Sequence, residues 1–149
     1  MKDIMIQLMT AFIGVVGFSI MFNVRGSKLF INGLGGAVSW LVYIITLSVS
    51  SDKVISCFTA TVFMAVLSEI LARVIKTPVI LLLVPMIVPL IPGSDLYYMM
   101  TSMLLKEAAT ASRFGVLLAG EAAAIAFGII IVTSVTQIIV RITLLFKKQ

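Results

Sequence analysis

The chain has 149 residues, of which 61% are apolar and 11% charged, and its mean hydropathy is +1.22, a balance outside that of water-soluble globular domains. Its formal net charge is +5, but the 11 Lys and Arg residues sit in short clusters at the ends of apolar stretches and form no basic face, so nucleic acid is not an expected partner. Histidine is absent, which removes the commonest general base and metal ligand, so neither an enzyme nor a cofactor or metal site is expected.

The pattern is that of an all-α integral membrane protein forming a single transmembrane domain over residues 1–149. The first apolar stretch, residues 4–23, is twenty residues long and at about 1.5 Å per residue reaches roughly 30 Å, the hydrocarbon thickness. It is read as a retained span and not a signal peptide, because Asp3 offsets Lys2 and no small-residue cleavage site precedes Phe22. Residues 29–50 form a second span and residues 54–73 a third, joined by the short turn Ser51-Asp52-Lys53. The single cysteine, Cys57, lies in the third span, and one cysteine permits no intrachain disulfide.

Residues 78–92 are apolar but contain Pro78, Pro85, Pro89 and Pro92, so this segment is either a kinked span continuing to about residue 100 or a re-entrant hairpin. The last span covers residues 115–140. If the proline segment crosses, Arg25, Lys28, Arg73, Lys76, Arg141, Lys147 and Lys148 share one side, against Lys2, Lys53, Lys106 and Arg113 on the other. The positive-inside rule therefore favours about five transmembrane helices, one broken by prolines, with the C-terminus cytoplasmic.

Each proline lacks an N–H, so a continuous helix would leave the carbonyls of Leu81, Pro85 and Val88 without their usual donors. These three lie on one helical face and need a donor from water, a neighbouring helix, a cation or a solute. Pro92-Gly93-Ser94-Asp95 reads as a turn with Ser94 or Asp95 capping the next helix, either an ordinary surface turn or the broken-helix end used by transporters. Two carboxylates lie within spans. Glu69 has Arg73 four residues on and reads as an ion pair, whereas Glu121 has no basic residue three or four positions away. Glu121 is accordingly the candidate for proton or cation coupling, with a polar helix contact as the alternative. Gly33, Gly35 and Gly36, the Gly120, Ala124, Gly128 repeat, and Gly14 with Gly17 read as helix-packing positions.

The run Gly17-Phe18-Ser19-Ile20-Met21-Phe22 leading into Asn23, the Gly33–Gly36 patch, and above all Pro85-Met86-Ile87-Val88-Pro89-Leu90-Ile91-Pro92-Gly93 resemble the threonine/serine exporter family over essentially the whole chain. The resemblance is to the family's small, split subunit. It implies a bacterial inner-membrane exporter of small amino acids or small dicarboxylates. It also implies a larger partner subunit with a soluble N-terminal domain and spans of its own. Membrane lipid is a further partner, and homo-oligomerisation is left open. Candidate residues of the solute or ion path are Pro85, Pro89, Pro92, Gly93, Ser94 and Asp95 at the break, Asn23 at the end of the first span, and Glu121. The reading from another class is a membrane scaffold or assembly subunit whose prolines and glycines serve packing alone.

Overall fold

The computed structural model describes residues 2–146, so Lys147 and Lys148 lie outside the described residues. Every regular element among these is helical: α1 (Lys2–Met21), α2 (Ser27–Ser50), α3 (Lys53–Val74), α4 (Ile80–Met86), a 3-10 turn (Val88–Leu90), α5 (Gly93–Leu104) and α6 (Ala108–Phe146). Four of them, α1, α2, α3 and α6, are long and apolar enough to cross a bilayer, and the bent pair Ile80–Leu90 with Gly93–Leu104 is a fifth candidate.

Local hydrogen bonds close several of the helix ends at the short connections. Asp52 caps α3, its Oδ1 accepting from the N–H groups of Val54 at 2.8 Å and Ile55 at 3.1 Å. Asn23 closes α1 with φ 55°, and behind it Val24 N–H donates to Ser19 O at 3.0 Å while Asn23 N–H donates to Ile20 O at 2.9 Å. This paired arrangement satisfies carbonyls that the end of α1 would otherwise leave open.

At the centre lies α3, packed against α2, α4 and α6. Its buried face is built from small and polar residues, including Ser56, Ala60, Thr61, Ala65, Ser68 and Ala72, which let neighbouring backbones approach. The glycines of α2 face the other way. A Cβ on Gly33 would lie 2.6 Å from the Phe12 ring, one on Gly36 2.5 Å from Val15 and one on Gly35 2.5 Å from Met86. On α6, a Cβ on Gly120 would lie 3.0 Å from Val54 and one on Gly128 3.0 Å from Thr61, and Ala124 between them is buried. Gly14 and Gly17 have nothing within 4 Å of such a Cβ, so within this chain they serve no close helix contact.

The contacts of Gly120 with Val54 and of Gly128 with Thr61 advance together along both helices, so α3 and α6 run parallel. The segment between them therefore carries the chain from the end of the bundle where α3 finishes to the end where it starts. A re-entrant hairpin would return it to the same end and make α6 antiparallel. Arg25, Lys28, Arg73, Lys76 and Arg141 consequently lie at one end of the bundle, and Lys53 at the other. Helix α6, 39 residues long, begins seven residues earlier than the sequence pattern suggests, and its first turns pack on α5. There Tyr98 stacks on Phe114 with centroids 5.3 Å apart, and Met99 touches Gly115.

The three carbonyls orphaned by proline all find partners. Leu81 O accepts from Asn32 Nδ2 at 3.0 Å, and the same amide donates to Ser19 Oγ at 3.0 Å, tying α1, α2 and α4 together in a buried network. The backbone tightens past Met86, so Pro85 O accepts from Ile87 N–H and Val88 O from Ile91 N–H at 3.3 Å. Only the first carbonyl thus needs a donor from another helix. Asn32→Leu, which keeps bulk and removes the donor, is expected to lower unfolding stability by about 1–3 kcal/mol, read by denaturant titration in detergent. Gly17→Ala in the same assay is expected to stay within about 0.5 kcal/mol of the parent.

Candidate functional site

Where the chain leaves the 3-10 turn it passes through Ile91, Pro92 and Gly93 and bends by 51° into α5. The bend opens a cavity of about 330 Å³. Pro89, Pro92, Gly93 and Ser94 form one wall, Trp40 and Tyr43 of α2 a second, and Lys53, Cys57 and Glu121 the rest. The aromatic wall is ordered, with the two rings stacked at 4.8 Å and Trp40 Nε1 donating to Gln7 Oε1 at 3.2 Å.

Asp95 sits in the first turn of α5 at 2% exposure, and both its oxygens accept from Lys53 Nζ at 2.8 Å. Neither Ser94 nor Asp95 caps α5. The helix starts at Gly93, with Pro92 in the cap position and no side-chain cap bond. The carboxylate turns instead to the ammonium of Lys53, because a buried charge gains more from a doubly bonded counter-ion than from backbone amides. Glu121, 4% exposed, lies close enough to feel the charges of both Asp95 and Lys53, and its side chain is within hydrogen-bonding reach of the Asp95 carboxyl. Two carboxylates and one cation thus meet where α3, α5 and α6 converge.

Of the residues singled out from sequence, Pro89, Pro92, Gly93, Ser94 and Glu121 line this cavity, and Asp95 is bonded to Lys53 on its wall. Pro85 is buried within α4 among the helices that hold the break. Asn23 stands apart in the α1–α2 connection, exposed, its Oδ1 accepting from Arg25 Nε at 3.0 Å. Glu69 pairs with Arg73 at 3.1 Å. Sequence reasoning missed Lys53, Trp40, Tyr43 and Cys57, because their approach to the break depends on how the helices pack. A larger cavity of about 650 Å³ between α5 and the start of α6 is lined mainly by Met99, Met103, Ala108 and Ala111, and holds no carboxylate.

Lys53→Met strands Asp95 in the interior and is expected to destabilise the protein by about 3–5 kcal/mol, most of it recovered when Asp95→Leu is added. Glu69→Gln is expected to cost only about 0–1 kcal/mol, since Arg73 is half exposed. Denaturant titration of the three variants in detergent checks both figures.

No curated protein and no solved structure matches the chain. A family model described as Threonine/Serine exporter, ThrE, matches residues 7–135, which include the break, the ion pair and Glu121. With that match spanning most of its length, the chain belongs to the threonine/serine exporter family.

Proposed function

We propose that the chain is the small membrane subunit of a secondary exporter of threonine, serine or related small solutes, small dicarboxylates included, working with a larger partner subunit that carries a soluble N-terminal domain. The observation that carries this reading is the cavity at the broken helix with the buried carboxylate of Glu121 on its wall and that of Asp95 beside it. Burying two carboxylates beside one cation is costly, and a bound solute, proton or cation offsets that cost.

In this reading Glu121 couples solute movement to the movement of a proton or cation, while Lys53 and Asp95 hold the start of α5 against α3. The helix break supplies the second requirement of a carrier, a point where two half-helices change their angle around a fixed site. By the positive-inside rule we read the end of the bundle bearing Arg25, Lys28, Arg73, Lys76 and Arg141 as cytoplasmic, in a bacterial inner membrane.

Efflux of labelled threonine, serine and succinate from proteoliposomes containing the chain and its partner tests the assignment. Glu121→Gln keeps shape and hydrogen-bonding capacity but cannot titrate, and is expected to abolish gradient-driven export while expression and partner association persist. Glu69→Gln is expected to export normally. Flux no higher than in empty vesicles for every solute would favour the scaffold. A C-terminal reporter is expected to be active only in the cytoplasm, and activity outside the membrane rules out the proposed orientation.

A further inference from the structure

Two cavities follow one another along the bundle axis. The site cavity takes Trp40 and Tyr43 from α2 and Pro89 to Ser94 from the broken segment, and reaches Lys53. A second cavity, of about 260 Å³, takes Trp40 from α2, Val88 and Pro89 from the broken segment, and Gln7, Thr10 and Gly14 from α1. Helix α1 runs away from the Lys53 end, so Thr10 and Gly14 lie beyond Gln7 toward the Arg25 end, and Val88 precedes Pro89 on that same side. Trp40 and Pro89 are the residues common to both cavities, which therefore lie on opposite sides of this pair. Pro89 is fixed by its ring within the 3-10 turn, whereas the indole of Trp40 is a side chain that can rotate. A single hydrogen bond secures it, from Nε1 to Gln7 Oε1 at 3.2 Å. Ten residues separate Trp40 from Ser50, which places this bond about 15 Å inside the end of α2 and near the middle of a bilayer. Gln7 keeps an exposed amide at that depth, where hydrocarbon alone would favour an apolar side chain.

Resting on the export reading, we propose that Trp40 is a gate on the solute path, with Gln7 as its latch and the second cavity as a chamber leading from the site cavity toward the Arg25 end. With the latch made, the indole stands between the chamber and the charged cluster of Lys53, Asp95 and Glu121. When the indole swings aside, the two cavities join beside Pro89. One neutral hydrogen bond is a weak restraint, so the gate opens by a side-chain rotation and requires no helix to unfold. Gly14 then has a role that its lack of helix contacts does not explain. Nothing lies within 4 Å of a Cβ built there, and the missing side chain keeps the chamber open.

The chain contains one cysteine, Cys57, which is buried and lines the site cavity, so the native protein carries its own reporter of access. The test treats the full chain in right-side-out and inverted membrane vesicles with a charged, membrane-impermeant methanethiosulfonate and follows Cys57 modification by mass spectrometry. From the face bearing Arg25 and Arg73 the parent chain is expected to react slowly. Gln7→Leu is expected to raise that rate about twofold to tenfold, the scale of one neutral hydrogen bond, and Trp40→Ala to raise it further. Gly14→Leu fills the chamber and is expected to return Trp40→Ala toward the parent rate. Gly17→Leu, equally open at its Cβ but outside the chamber, is not. The proposal is overturned if Gln7→Leu and Trp40→Ala both leave the rate unchanged, or if Gly14→Leu leaves Trp40→Ala as reactive as before. Gln7→Leu decides alone where Trp40→Ala fails to fold. Threonine efflux measured in parallel separates the two readings: efflux with Cys57 access unchanged by either substitution removes the gate and leaves export standing, whereas gated access without efflux of any solute does the reverse.

Discussion

Four prolines within residues 78–92 deny the segment between α3 and α6 an uninterrupted helical hydrogen-bond ladder, and the structure is arranged around that denial. Hydrocarbon offers no donors, so every carbonyl released by a missing proline N–H must be satisfied by the protein itself. The solution is divided. Asn32 reaches from α2 to Leu81, while the backbone after Met86 tightens until Pro85 and Val88 accept from residues close by. The tightened turn redirects the chain, which bends at Pro92 and leaves the cavity beside it.

Electrostatics follow from the same bend. A straight helix would carry Asp95 along the line of α4. The bend instead places it against Lys53, at the first residue of α3, where a counter-ion is available. Parallel packing of α6 on α3 then brings Glu121 to the same level, because Gly120 sits against Val54 with too little room for a larger side chain. Three charges from distant parts of the chain converge through backbone contacts among small residues, and none of them shares a helix with another.

Composition and hydropathy suffice for the membrane-spanning, all-helical class, since the signal is repeated in every long helix. The Glu69–Arg73 pair is equally readable, being separated by one helical turn. Glu121 stands out in the sequence by lacking such a neighbour, and the structure brings it instead to Asp95 and Lys53. Contacts between helices are another matter. Nothing local to Lys53 or Asp95, 42 positions apart, announces that they meet. Asn32 did leave a trace, as a lone amide in an apolar span, where polar side chains serve to bridge helices. The cap at α5 was misread for a similar reason: Ser94 and Asp95 have the right chemistry for a cap, and a partner from α3 outcompetes it.

The order of these contacts along the chain bears on how the protein is made. Synthesis proceeds from the N-terminus, so Ser19 and Asn32 precede Leu81, Lys53 precedes Asp95, and both precede Glu121. The open carbonyl of Leu81 and the carboxylate of Asp95 therefore emerge from the ribosome after their partners Asn32 and Lys53. The broken helix can dock on a waiting template of α1, α2 and α3 and need not lodge alone in lipid with an open carbonyl. Helix α6 comes last and lies along α3, which is already in place when it emerges.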